Sequence, residues 1–309
     1  MNCSKCGKKS ITFIRYNGRY LCKEHFNEFV EKRVKREIRK QGLPKGKIAV
    51  ALSGGKDSLV ACYLIWKIVK NDRNRILNAI TVDEGIKNYR EKTIKIARDF
   101  CDEYRISHQI ISFKEEFGFT LDEVSKVRKN LAECTYCGVF RRYCLNVSAK
   151  RINASAIAMG HNLDDVSQTI LMNFVRGDME RMARMAPHKK IQPDLIPRIL
   201  PLRSIPEKET TLYAYVKGFE ISENECPYAI RAMRGIYRDF LAQLEEKHSG
   251  SRHSILKSFF EIEDCLHNKF SPANLNPCIK CGEPSSEKIC MACQLSEKVR
   301  KRLKIDSFH

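Results

Sequence analysis

The chain has 309 residues, 43% of them hydrophobic, with 56 Lys and Arg against 37 Asp and Glu, a formal charge of +19, and 14 cysteines. A chain of this length buries a core that needs no disulfide support, and no apolar run reaches the roughly 18 residues of a membrane span. The opening MNCSKCGKKS lacks a secretory apolar region, so the chain is expected in the cytoplasm with no membrane segment, where its basic excess fits a polyanionic partner, most commonly nucleic acid.

A reducing cytoplasm turns the cysteines toward metal or redox use. Cys3-x2-Cys6 and Cys22-x2-His25 offer three thiolates and an imidazole in two close pairs, a donor set for tetrahedral zinc, and define an N-terminal module over 1–30. The basic run EKRVKREIRK, 31–40, is expected as a solvated helix within a linker over 31–46. Strand and helix signals then alternate, with strands over 47–52, 76–82, 108–113 and 154–159 and helices over 58–70, 89–104, 141–151 and 163–175. Alternation of this kind predicts an α/β fold, a doubly wound parallel sheet covered on both faces, with ligands beyond the carboxyl ends of its strands. The proline-rich 187–206 reads as a loop holding an apolar island at 199–202, and 229–247 and 253–267 read as helices that complete a catalytic domain over 47–270. Over 271–309, Cys278-x2-Cys281 and Cys290-x2-Cys293 supply four thiolates for a second zinc. Four protein ligands leave zinc no open position, so both modules are expected to be structural. Cys134 and Cys137 form a further pair, whereas Cys62, Cys101, Cys144, Cys226 and Cys265 stand alone.

The stretch ALSGGKDS, 51–58, joins the strand expected over 47–52 to a helix. Gly54 and Gly55 let the backbone turn and approach a ligand, and the helix presents unpaired N–H groups at its positive end, which suits phosphate. Ser53 and Ser58 add hydroxyl donors, Lys56 a point charge for a departing pyrophosphate, and Asp57 a magnesium ligand or a backbone brace. The spacing excludes G-x-x-x-x-G-K-[ST]. SGGKDS instead resembles the PP-loop of the ATP pyrophosphatases, set between a strand and a helix as that family requires. The resemblance implies ATP cleavage to AMP and pyrophosphate, with Mg2+, during adenylation of a substrate.

CTYCGVFRRY (134–143), MGHNLDD (159–165) and ECPYA (225–229) resemble the tRNA 2-thiolation branch of that superfamily, the family called TtuA, TtcA or NcsA. With both terminal modules the likeness covers essentially the whole chain and is nearest the zinc-bearing archaeal and TtuA branch. It implies that the C2 oxygen of a tRNA uridine is adenylated and then replaced by sulfur. It implies a [4Fe-4S] cluster on Cys134, Cys137 and Cys226, three ligands that leave one iron open. A persulfide relay through the same cysteines and a third zinc site are the alternatives, and Cys144 is a rival third ligand. The resemblance makes Asp165 catalytic; Asp164 could instead cap the following helix and His161 bond a loop carbonyl. Gly160, at the same strand end, joins the ATP set. TVDEGI, 81–86, ends the second strand where adenosine would be gripped, Gly85 allowing close approach, and Arg141 and Arg142 could steady the triphosphate or the RNA. A homodimer is implied, as is a sulfur donor, either a ubiquitin-like thiocarboxylate protein or free sulfide; wobble and T-loop uridines stay open as targets. Two other classes compete: an ATP-dependent ligase on a small substrate, and a zinc-bearing RNA-binding protein without catalysis.

Overall fold

The structure, a computed structural model, describes residues 1–187, 192–222, 224–228, 234–270 and 275–305. Thr12–Ile14 (β1) and Arg19–Leu21 (β2) pair antiparallel across a single 3-10 turn, and Cys22 immediately precedes the first long helix, Lys23–Gln41 (α1), so that His25 lies in its first turn. One continuous helix therefore crosses residue 30, where the sequence suggested a module ending and a linker beginning. The basic run is solvated on one face only, where Lys32, Lys35, Arg36, Arg39 and Lys40 are exposed. Val30, Val34 and Ile38, four residues apart, align with Phe26 on one buried face beneath the charges.

Gly46–Ala51 (β3), Arg75–Asp83 (β4), Ser107–Ser112 (β5), Ala154–Ala158 (β6) and Arg198–Ile199 (β7) form one parallel sheet in the order β5-β4-β3-β6-β7. The strand first in the chain is central. Winding proceeds outward to β5 and then resumes on the other side at β6, so the switch point lies between β3 and β6, where a doubly wound sheet opens a crevice. Lys56–Val69 (α2) and Arg90–Tyr104 (α3) cover one face; Phe113–Phe117 (α4), Leu121–Val127 (α5) and Glu133–Arg151 (α6) follow β5. Along β3 the pleat sends Ile48 and Val50 into the core shared with α1, α2 and α3, and Ala49 into the core shared with α6.

The strand assignments over 47–52, 76–82 and 154–159 hold to within a residue or two, and β5 stops at Ser112 because that serine caps α4 with Glu115. Helix α6 begins at Glu133, not 141, and carries both Cys134 and Cys137. Leu163–Val175 (α7) and Met179–Ala183 (α8) precede β7, which lies inside the expected loop. Glu207–Lys217 (α9), Arg234–Lys247 (α10) and Ser251–Lys269 (α11) follow. The first part of the helix expected over 229–247, residues 229–233, lies outside the described residues.

The C-terminal module is a short hairpin, Asn276–Pro277 (β8) with Pro284–Ser285 (β9), leading into Met291–Leu303 (α12). It is no detachable appendage. Cys278, Cys290, Leu295 and Val299 are buried in the same core as Tyr136, Phe140 and Cys144 of α6. Glu283 accepts from Asn146 Nδ2 at 2.6 Å and from Lys150 Nζ at 3.0 Å, fastening the module to that helix. Among the described residues no helix is long and apolar enough to cross a membrane.

Candidate active site

A cavity of about 440 Å3 opens over the carboxyl ends of β3, β4 and β6. Its floor is the loop after β3. Gly54 turns there at φ +80°, and a Cβ on it would stand 1.9 Å from the Thr93 carbonyl oxygen, so only glycine fits. Ser58 latches the loop to itself: its hydroxyl accepts from the Ser53 N–H and hydroxyl, both at 3.1 Å, and donates to Gly55 O at 2.8 Å. No side chain caps α2, whose first turn begins at Lys56. Its free N–H groups and positive dipole end are therefore offered to whatever lies over the loop.

Gly160, at the end of β6, packs so closely on α2 that a Cβ would stand 3.0 Å from Ser58 Cα. Ala51, Ser53, Gly55, Lys56, Asp57 and Ser58 line the cavity, as do Gly160, His161 and Arg141. Gly54, Gly85 and Asp165 do not. Gly85 approaches Thr120 instead of the cavity, where a Cβ would come 2.5 Å from its Cγ2.

Lys56 Nζ is held at 2.9 Å by Asp57 and at 2.6 Å by Glu207. The other oxygen of Asp57 accepts from Thr210 Oγ1 at 2.5 Å, so Asp57 braces α2 against α9. Asn162, not Asp164, caps α7, with Asp165 completing the reciprocal pair. Asp164 accepts from the Glu207 N–H at 2.8 Å and pairs with Arg252 at 2.9 Å; burial raises its pKa. Asp165 also pairs with Arg234 at 3.3 Å. Sequence reasoning missed Glu207, Thr210, Arg234 and Arg252, which lie more than 40 positions downstream in segments without a motif.

The three cysteines lie beside this cavity. Cys134 is exposed at the start of α6, Cys137 is buried one turn on, and Cys226 is half-buried. Burial and then the neighbouring Cys226 raise the Cys134 pKa; burial pushes Cys137 up to about 11, with Arg141 pulling against it. Arg141 reaches from the cavity wall to Cys137, donating Nη2 to its Sγ at 3.2 Å. Glu225 brings the chain beside Cys226 into the same wall. Cys144 is fully buried among aromatic side chains in the α6 core.

The terminal cysteines form two tight groups whose ligand atoms lie within 4.8 Å of one another. Sulfurs of Cys6 and Cys22 are 3.8 Å apart, and His25 Nδ1 is 3.4 Å from both Cys3 and Cys22. In the second group Cys278 and Cys293 are 3.9 Å apart, Cys281 and Cys290 3.6 Å. Each group could hold a metal ion. Cys134, Cys137 and Cys226 are spaced too widely to form a third such group.

Residues 24–245 match the family model described as a PP-loop domain, and residues 2–27 that of the 2-thiouridine synthetase TtuA N-terminal LIM domain. The tRNA 2-thiolation protein NcsA of Haloferax volcanii is 36% identical over 97% of this chain and 99% of its own. Cytoplasmic tRNA 2-thiolation protein 1 of Drosophila willistoni is 35% identical over 97% and 88%. A solved structure of the U34-tRNA thiolase NcsA from Methanococcus maripaludis, with its [4Fe-4S] cluster, has a TM-score of 0.83 at 35% identity, covering 96% of each chain. The PP-loop model spans most of the chain and these relatives match it nearly end to end: the chain belongs to the tRNA 2-thiolation family of PP-loop proteins.

Proposed function

We propose that the protein is an ATP-dependent tRNA uridine 2-sulfurtransferase acting in the cytoplasm on the wobble uridine, position 34. The observation that carries this reading is Arg141, which lines the cavity above the PP-loop and touches Cys137 from it. One side chain thus joins the place where a nucleotide would be cleaved to the place where sulfur would be held. The wobble assignment is supported by the U34-tRNA thiolase likeness over 96% of both chains.

ATP lies over residues 53–58, and the C2 oxygen of an extruded uridine attacks the α-phosphorus. Lys56 and the uncapped start of α2 take up the charge on the departing pyrophosphate. The uridine oxygen is then bonded to AMP; sulfide attacks C2, and AMP leaves with that oxygen. Sulfur enters and leaves this sequence at the sulfide level, so no oxidant or reductant is consumed. The donor is free sulfide or a ubiquitin-like thiocarboxylate protein, and the enzyme acts as a homodimer, which light scattering checks.

Cys134, Cys137 and Cys226 fit a [4Fe-4S] cluster as a three-thiol donor set beside the cavity, spaced more widely than ligands of one tetrahedral ion. When bound, such a cluster supplies one iron without a protein ligand as a Lewis acid toward sulfide. For the terminal groups zinc is the proposed ion: Zn–S bonds of about 2.3 Å put sulfurs about 3.8 Å apart in a tetrahedron, which supports the reading.

Anaerobic reconstitution followed by single-turnover thiolation tests the proposal. About four irons per chain are expected, lost on replacing Cys134, Cys137 or Cys226 by Ala and kept in Cys144→Ala. Pyrophosphate release should require tRNA, and mass spectrometry should place 2-thiouridine at position 34. Full activity of iron-free protein overturns the cluster; tRNA-independent pyrophosphate release overturns the substrate.

A further inference from the structure

Glu84 lies at the end of β4, 3% exposed, with its carboxylate between two guanidinium groups. Oε2 is 2.7 Å from Arg90 Nε, and Oε1 is 2.8 Å from Arg141 Nη2. Arg90, 4% exposed, is anchored four ways: by the ion pair with Glu84 and by hydrogen bonds to Ser53 O at 2.9 Å, Thr93 Oγ1 at 2.8 Å and Val82 O at 2.6 Å. Arg141 has far less. Beyond Glu84, the hydrogen bond it makes among the described residues is to Cys137 Sγ at 3.2 Å, and the side chain is otherwise half-exposed. A long, flexible cation on a cavity wall loses rotamer freedom when held in one pose, and here one carboxylate holds it.

We propose that Glu84 is a positioning residue: it holds the Arg141 guanidinium on the wall between the PP-loop and Cys137, ready to donate to the phosphate of the adenylated uridine. The inference rests on the sulfurtransferase reading given above. The unequal anchoring of the two arginines gives the role its direction. Without the Glu84 charge, Arg90 keeps three acceptors, one of them the Ser53 carbonyl, so the ATP loop stays in place. Arg141 keeps no carboxylate among the described residues. Glu84→Gln removes the charge on which both ion pairs rest, and Arg141, with fewer other anchors, is the one displaced.

The test uses the full-length protein. By calorimetry on cluster-free protein, Glu84→Gln should bind ATP within about twofold of wild type, and its crystal structure should show Arg141 away from Cys137. After reconstitution, thiolation kcat should fall about 10²-fold, the scale of a lost preorganised donor. Adding Arg141→Met to Glu84→Gln should cost nothing further, because both act through one group. The double variant also serves if Glu84→Gln folds poorly, since it removes the unpaired cation. Additive losses in the double variant, an unmoved Arg141, or ATP affinity falling in step with kcat would each overturn the proposal, the last pointing to Arg90 and the loop. If wild type itself fails to thiolate tRNA, the sulfurtransferase reading fails, and the position of Arg141 in the two crystal structures still decides the role of Glu84.

Discussion

Lys56 is held by two carboxylates, Asp57 at 2.9 Å and Glu207 at 2.6 Å, and burial works against its charge while both acids raise its pKa. Its ammonium is thus kept charged and aimed over the loop. Lys56→Ala should lower adenylation by about 10²- to 10³-fold, ~2.7–4 kcal/mol, with metal content unchanged, measured as tRNA-dependent pyrophosphate release. Asp57→Ala should differ in kind: it also frees Thr210, so a lowered unfolding midpoint accompanies the lost activity. His253 reports on pH. Burial, and then the Arg33 guanidinium 3.1 Å away, depress its pKa to about 4, with the Tyr16 ring tilted against it and Glu245 pulling the other way. The native imidazole stays neutral where the unfolded one, with its ordinary pKa near 6.5, takes up a proton. Stability should therefore be unaffected above about pH 6.5 and fall by at most about 1.4 kcal/mol per pH unit from there toward pH 4. Thermal melts of His253→Phe should lack that component.

The two terminal cysteine modules are integrated elements. In the first, Arg33 of α1 pairs with Glu209 of α9 at 2.6 Å, and Tyr16, in the turn between β1 and β2, donates to the same carboxylate at 2.6 Å. Both charged side chains are nearly buried, 11% and 7% exposed. Glu209→Ala leaves a buried arginine without its carboxylate and should cost ~3–5 kcal/mol in urea unfolding, loosening the module from α9. In the second, the ribbon and α12 pack on α6, the helix that carries Cys134 and Cys137. Cys290→Ser should therefore lose one metal per chain by elemental analysis and also weaken iron loading at residues more than 150 positions away. Cys3→Ser, remote from α6, should lose its metal and leave iron loading intact. Metal binding in such modules is folding energy, so chelation should reproduce both effects.

At the scale of the whole molecule, the +19 charge predicts how tRNA is held. Neutralising backbone phosphates releases condensed counterions, so affinity should fall linearly in log–log form with added salt, with a slope of several units by filter binding. Salt-insensitive binding, or equal activity on free uridine, would favour a small-substrate ligase. Arg198 has its pKa lowered to about 10, by burial first and then by the neighbouring Arg142.

What the sequence determined by itself was whatever is encoded at short range. SGGKDS sets its own loop geometry through Gly54 and the Ser53–Ser58 latch, paired C-x2-C and C-x2-H spacings bring ligands together within one turn, and alternating apolar runs dictate a parallel sheet. The family resemblance was legible for the same reason, its motifs being contiguous. Tertiary structure decided what depends on distant partners. No local signal announces that Glu207 and Thr210 brace the PP-loop, that Glu84 joins Arg90 to Arg141, or that Glu283 ties the last module to α6. The charged run of α1 is solvated on one face, and its apolar stripe, one residue in four, is visible only once the helix has something to bury it against. A carboxylate states its chemistry in sequence, but its partner is chosen by the fold, because in a buried site desolvation penalises every arrangement that leaves it unpaired.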